Sequence, residues 1–228
     1  MRTHRTRNVS PLLIYITEKT MNNYFPQNPD MSFEEFFISY MERLRTFSDS
    51  LDLDEAIAII EILTKNINED KTMFTCGNGG SASIAEHFVC DLVKGTSTDS
   101  TVSPKAIPLL ITPLLTAVAN DISYDEIFSF QLSKFANKGD ILLSVSSSGN
   151  SPNIIKAIET AKELDVTSIS FVGFDGGKAK EISDFCLHVP SNNYGICEDA
   201  HHVLMHVISQ YIRLSSIEDK SKLGKIKF

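Results

Sequence analysis

Two apolar runs of strand length each pass without a linker into a loop of glycines or serines and then into a helix. This repeated arrangement restricts the chain to few folds. The first run, Lys71-Thr72-Met73-Phe74-Thr75, leads into CGNGGSASIAEHFVCDLVKG (Cys76–Gly95). The second, Asp140–Val145, leads into Ser146-Ser147-Ser148-Gly149-Asn150-Ser151 and a helix opened by Pro152. Gly77, Gly79 and Gly80 allow a tight turn, Ser81 and Ser83 are the predicted helix caps, and the helix is predicted from Ile84 to Val93. Free amides and the helix dipole converge at such a helix start and hold anions. A glycine turn before a helix is on its own only a tight connection. No Gly-Lys-Ser/Thr closes this one, and GxGxxG is absent. The serine loop, with a strand before it and Pro152 after it, reads better as a phosphate cradle.

In chain order, residues 1–30 read as an arm, residues 31–218 as one domain and 219–228 as a solvated Lys-rich tail. The first 20 residues are basic and polar around a small apolar patch, an extension upstream of a start at Met21. Between Ser32 and Ser48, Phe33, Phe36, Phe37, Tyr40, Met41 and Leu44 fall at helical spacing, and Ser32 with Glu35 makes a capping box. A second helix, Asp52–Asn68, gathers Ala56, Ile59, Ile60 and Leu63 on one face. Both must pack on a sheet or on another subunit. Further strands are predicted at Ala106–Ile111, Thr167–Val172 and Cys186–Val189. The remaining helices are a short one from Leu114 to Val118 ended by Asn120-Asp121, then Glu126–Phe135, Asn153–Leu164, Lys178–Ile182 and a long amphipathic Ile196–Ser216. Strands alternating with helices at these lengths predict a doubly wound parallel α/β sheet covered on both faces.

At 228 residues the chain can bury a full core, and 42% hydrophobic with 22% charged residues is ordinary for a soluble globular protein. A net charge of −8 argues against nucleic-acid and anionic-membrane partners. No apolar run reaches membrane-spanning length, and Pro11–Ile16 is too short for a signal peptide and has no small-residue cleavage site after it. Cys76, Cys90, Cys186 and Cys197 form no CxxC pair. They predict reduced, mostly buried thiols of a cytoplasmic protein.

His87 and Asp91 stand four apart on the first motif's helix, and Glu198, His202 and His206 stand four apart on the last, with His201 alongside. Four of the six histidines lie in these two helices. His87, Asp91, Glu198 and His206 would supply two imidazoles and two carboxylates, a divalent-metal set of zinc type. The bland alternative is a pair of helices with polar faces. With an anion cradle on the same helix, the set points to chemistry on a phosphorylated small molecule.

GNGGSASIAEHF, AVANDISYDEIFSFQL (Ala117–Leu132), GDILLSVSSSGNSPNIIKAI (Gly139–Ile158), GFDGG (Gly173–Gly177) and EDAHHVLMH (Glu198–His206) together resemble the phosphoheptose isomerases, sugar-isomerase (SIS) domain proteins that convert sedoheptulose 7-phosphate to glycero-manno-heptose 7-phosphate. The similarity runs from about Met31 to Ser216. It implies a five-stranded, flavodoxin-like parallel sheet with N-terminal helices, and a homotetramer whose active sites lie between subunits. By position, Asn78, Gly79, Gly80 and Ser81 would contact the sugar, and Asn120 with Asp121 would meet its hydroxyls. Ser146, Ser147, Ser148 and Ser151 would hold the phosphate. The resemblance implies one Zn²⁺ on His87, Asp91, Glu198 and His206, with Asp91 and His206 also the acid/base pair of an enediol mechanism.

Three differences from the family pattern bear on heptose specificity rather than on sugar-phosphate binding. Asp91 and Glu198 stand where the family usually has Glu and Gln. Gly95, beside Lys94, stands where an Arg is usual. Gly195-Ile196 replace an Asp-Arg pair. Two carboxylates strengthen a divalent-metal site by charge. Two rival readings are a non-catalytic SIS protein that binds a sugar phosphate or a partner such as a replication initiator, and a sugar-phosphate-sensing regulatory domain. Retention of His87, Asp91 and His206 favours the enzyme over the first. The second is ranked last, since no helix-turn-helix accompanies the domain.

Overall fold

The computed structural model describes residues 25–26 and 28–227. Most of the arm over residues 1–30, including the basic extension before Met21, therefore lies outside the described residues. Five strands form one parallel sheet: β1 (Thr72–Gly77), β2 (Lys105–Pro108), β3 (Ile141–Ser146), β4 (Thr167–Val172) and β5 (Phe185–His188), in the order β2-β1-β3-β4-β5. This is the flavodoxin-like order, in which the chain reverses its direction of growth between β1 and β3. β3 is buried along its whole length, as its ILLSVS sequence requires at the centre of a sheet covered on both faces.

Alternate strand residues enter two separate cores. Met73, Leu143, Val145, Ile169, Phe171 and Leu187 meet α2 (Leu53–Asn68), α3 (Gly80–Cys90) and α8 (Tyr194–Ser216) on one face. Phe74, Cys76, Leu142 and Val172 meet α4 (Thr112–Asp121), α5 (Ile127–Phe135), α6 (Pro152–Glu163) and α7 (Gly177–Ile182) on the other. All four cysteines are free, with Cys76 and Cys197 buried and Cys90 exposed.

α1 (Phe33–Ser50) starts with the predicted capping box: the Glu35 N–H donates to Ser32 Oγ at 3.2 Å and the Ser32 N–H to Glu35 Oε2 at 2.8 Å. Its inner side carries Phe36 and Tyr40 against Phe25, and the Tyr40 hydroxyl donates to Asp199 Oδ2 at 2.7 Å. Its outer side leaves Phe33 83% and Phe37 54% exposed.

Several boundaries differ from the sequence reading. β2 ends at Pro108 rather than Ile111: it is a half-exposed edge strand, its last bond to β1 is the Leu109 N–H on the Thr75 carbonyl at 2.8 Å, and Pro108 stands where a ladder N–H would face away from β1. The helix expected from Ile84 to Val93 begins at Gly80, stops at Cys90 and continues as a single π-helical turn, Asp91–Thr96. There the Thr96 hydroxyl bonds the Leu92 carbonyl and Thr98 Oγ1 bonds the Lys94 carbonyl at 2.9 Å, drawing those groups from a regular helical ladder. α8 begins at Tyr194, capped by Asn193, rather than at Ile196. The Lys-rich end is not wholly solvated, since the buried Arg213 donates to the Lys227 carbonyl at 2.9 Å and Lys222 reaches Asp99 at 3.4 Å.

His201, on the inner face of α8, is fully buried beside Phe171, and neither ring nitrogen has a hydrogen-bond partner. Burial lowers its pKa to about 4; the Val172 backbone pulls the other way without a hydrogen bond of normal geometry. Above the ordinary histidine pKa of ~6.5 the ring is neutral whether folded or unfolded, and there is no penalty. Between there and about 4 the unfolded ring takes a proton that the folded one refuses, so stability falls as pH falls. With metal removed, His201→Leu is expected to flatten the loss of stability between pH 6.5 and 4 by on the order of 3 kcal/mol. Denaturant titrations across that range check it. Identical slopes in both proteins would rule out His201 as the source.

Candidate active site

β1 and β3 are adjacent and in register, Cys76 against Ser144 and Gly77 against Val145, so the loops that follow them open side by side. Open α/β sheets bind ligands at this strand edge and at this reversal of order. The first loop turns at Gly79, whose φ of 55° and ψ of −122° lie where side-chain-bearing residues are strained. Gly79 itself is the N-cap and no side chain caps α3, so Ser81 and Ser83 do not have the predicted capping role. Ser81 is instead buried against the cleft. At Gly80 a Cβ would lie 2.5 Å from both carboxylate oxygens of Glu198. Glycine there lets that carboxylate sit over the amide end of α3, where the helix dipole favours negative charge.

Ser146, Ser147, Ser148 and Ser151 join Asn78, Ser81, Val145, Tyr194 and Glu198 around a cleft of about 120 Å³. Hydrogen bonds within the serine loop fix its shape. The Gly149 N–H donates to Ser146 Oγ at 3.2 Å and the Asn150 N–H to Ser148 Oγ at 3.3 Å. The first turn of α7, directly after GFDGG, braces it, with the Ala179 N–H on the Gly149 carbonyl at 2.9 Å and the Lys178 N–H on Asn150 Oδ1 at 3.0 Å. Ser147 is 4% exposed, and its hydroxyl is buried and unpartnered. Leaving such a group unpaired costs ~1–3 kcal/mol, and an anion in the cleft would satisfy it. No Lys or Arg lines the cleft among the described residues, so its donors are hydroxyls, amides and the N-terminal end of α6.

Asn78 is held by residues that the sequence reading missed. Its amide exchanges two hydrogen bonds with that of Asn153, both 2.9 Å, and the Tyr124 hydroxyl donates to Asn78 Oδ1 at 3.1 Å. Tyr194 was also missed, although it stands four residues before Glu198 on one helical face. Asn120 and Asp121 do not reach the cleft. They are exposed at the end of α4 and bonded to each other at 2.7 Å.

Farther along α8 a second group assembles. His206 Nδ1 lies 2.7 Å from Asp91 Oδ2, and His87 Nε2 lies 3.6 Å from Asp91 Oδ1. One donor atom from each of these three residues falls within 4.8 Å of the others. Two imidazoles and a carboxylate this close suit a zinc-type ion. Glu198, the fourth predicted ligand, is not gathered with them: it is eight residues before His206, ~12 Å of helical rise, and lines the serine cleft. Ser209, also missed, packs beneath the pair with its hydroxyl 3.1 Å from the His206 carbonyl and 3.5 Å from Asp91 Oδ2.

A family model described as SIS domain matches residues 35–173. The chain is 34% identical over 176 residues to a phosphoheptose isomerase of Clostridium acetobutylicum, covering 77% of this chain and 90% of that protein. It is 36% identical over 183 residues to one of Helicobacter pylori, covering 77% and 91%. Its fold superposes on the structure of a phosphoheptose isomerase from Francisella tularensis with a TM-score of 0.74 at 27% identity, covering 79% of this chain and 96% of that one.

The unpartnered Ser147 hydroxyl provides a test of the anion cleft. A ligand at 100 times its Kd adds ~2.7 kcal/mol of stability, so saturating inorganic phosphate is expected to raise the melting temperature by several degrees. Ser147→Ala is expected to lose half or more of that rise. An equal rise in both proteins would place the anion elsewhere.

Proposed function

This chain belongs to the phosphoheptose isomerase family of SIS-domain proteins, and we propose that it interconverts sedoheptulose 7-phosphate and D-glycero-D-manno-heptose 7-phosphate, supplying heptose for a surface glycan. The observation that carries this reading is the spacing of the two groups along α8. The serine cleft and the Asp91–His206 pair are separated by ~12 Å of helix. An extended seven-carbon chain with its phosphoester, built from bonds of roughly 1.5 Å, spans on the order of 10 Å. A phosphate in the cleft therefore brings the other end of a heptose to the Asp91–His206 pair.

In this mechanism Ser146, Ser147, Ser148 and Ser151 hold the phosphate, and Asn78, Gly79, Gly80, Ser81 and Glu198 meet the sugar. Asp91 takes a proton from C1 of the ketose and returns it to C2, so that C1 leaves as the aldehyde. His206 exchanges protons with the two oxygens as the enediol forms and collapses. Nδ1 faces the Asp91 carboxylate at 2.7 Å, which leaves Nε2 as the ring nitrogen available for proton exchange. His87, Asp91 and His206 would hold zinc, which when bound polarises a carbonyl and offsets negative charge on oxygen.

The site is proposed to be shared between subunits of a homotetramer, with residues 31–218 as the SIS unit. A 120 Å³ cleft without a lining cation is too small for a whole sugar phosphate. The exposed Phe33, Phe37, Ile38 and Met41 of α1 offer an apolar surface for another subunit. We place the reaction in the cytoplasm, a reading supported by the four free thiols; no helix among the described residues is long and apolar enough to cross a membrane.

Asp91→Asn keeps size and hydrogen bonding but removes basicity, and with His206→Ala it is expected to lower kcat by roughly 10²-fold or more with the fold intact. Ser148→Ala is expected to act mainly on KM, because its contact to phosphate is made before and during the reaction. Full turnover by Asp91→Asn across a panel of ketose phosphates would remove Asp91 as the base. Binding without turnover by the unmutated protein would instead identify a non-catalytic SIS protein. Light scattering at micromolar concentration is expected to give a tetramer, and a monomer would defeat the shared site.

A further inference from the structure

Of the described residues that line the serine cleft, Val145 and Tyr194 alone present carbon-rich side chains. Val145 is 1% exposed near the end of β3, whereas Tyr194 is 61% exposed at the start of α8, one helical turn before Glu198. The sugar part of a sugar phosphate shows C–H groups as well as hydroxyls. Serines, Asn78 and Glu198 serve the hydroxyls and the phosphate, so Tyr194 is the surface left for the C–H groups.

The Tyr194 ring is held rather than loose. It meets Phe174 in a T-shaped contact, ring centroids 4.7 Å apart and planes at 78°, a geometry that aromatic pairs favour. Phe174 has a φ of 47°, a left-handed backbone that a bulky residue keeps only where its surroundings impose it. They do so here: its N–H donates to the Ser191 carbonyl at 3.1 Å, and His188 Nε2 donates to its carbonyl at 2.9 Å. The Gly173 N–H just before it donates to the Ser147 carbonyl at 2.9 Å. One turn therefore ties the serine loop to the ring that stands beside it in the cleft lining.

We propose that Tyr194 determines specificity by packing its ring on the C–H groups of the sugar carbons next to the phosphoester, and that Phe174 is the residue that positions it. The inference rests on the proposed function in placing the phosphate in the serine cleft. An aromatic face carries the negative side of the ring quadrupole and suits C–H groups, and tyrosine offers rigid contact area with few torsions to freeze.

Calorimetric titration of the full chain with inorganic phosphate and with heptitol 7-phosphate, the reduced sugar with no carbonyl to isomerise, tests this. Tyr194→Ala is expected to weaken heptitol 7-phosphate binding roughly tenfold and to leave inorganic phosphate within about twofold. Tyr194→Phe keeps the ring and is expected to leave both ligands within about twofold. Phe174→Ala is expected to repeat the Tyr194→Ala pattern with a smaller loss. Equal losses of both ligands in Tyr194→Ala, no loss of either, or no binding of heptitol 7-phosphate by the unmutated protein overturns the proposal. A change of mass in light scattering with heptitol 7-phosphate binding unchanged would assign the ring to a subunit contact and overturn it too. Turnover of sedoheptulose 7-phosphate is read separately. Turnover with heptitol 7-phosphate binding that ignores Tyr194 defeats this inference alone, whereas Tyr194-dependent binding without turnover defeats the isomerase reading alone.

Discussion

The in-register pairing of β1 with β3, from Met73 against Ile141 to Gly77 against Val145, is the constraint on which the ligand edge depends. Two buried parallel strands that end at one level must deliver their loops to one place, and the helices that follow must start there. The glycine loop then aims the amide end of α3 at the cleft and the serine loop aims that of α6. Burial of β3 on both faces makes any slip of register costly, because it would exchange the two cores. Neutral donors fixed by such a scaffold can hold a phosphate without a lining cation.

α8 measures the distance between binding and chemistry. Tyr194, Glu198, His202 and His206 recur every four residues along it, so the helix carries a stripe that runs from the serine cleft to the Asp91 carboxylate. α3 meets this stripe where its regular winding gives way to the π-helical turn at Asp91. A turn of this kind is a common local adjustment at functional sites. Here it coincides with the residue that is one methylene shorter than the family's usual glutamate. Ser209, within 3.5 Å of the same carboxylate, supports it from below.

Much of this was legible in the sequence, for definite reasons. Central parallel strands are continuous apolar runs, and glycine or serine punctuation marks where they stop, so β3 and β4 were read to within a residue, while β1 runs two residues past Thr75 into the glycine loop. The capping box at Ser32 and Glu35 is a local signal and held. The approach of His87, Asp91 and His206 could be framed as two helical faces, although only the fold brings those faces together. Other features depend on tertiary packing. The π-helical turn depends on hydroxyl bonds and on packing against α8, which propensities do not encode. Helical spacing gives the ~12 Å of rise between Glu198 and His206 but not what stands beside each, so it could not show that Glu198 lines the serine cleft while His206 meets Asp91. Asn120 and Asp121 were assigned through family resemblance alone, whereas Tyr124 reaches Asn78 from the same segment. The burial of His201 beside Phe171 ran against the usual reading of a histidine as polar.

The central claim is that a carboxylate and an imidazole placed two helical turns from a phosphate cleft move a proton between adjacent carbons of a heptose phosphate. Incubating the protein with sedoheptulose 7-phosphate in D₂O and following the sugar by NMR tests this directly. The expected result is an aldose 7-phosphate carrying solvent deuterium at C2, with exchange at C1 of the remaining ketose. Bound substrate that shows neither conversion nor exchange would contradict the claim.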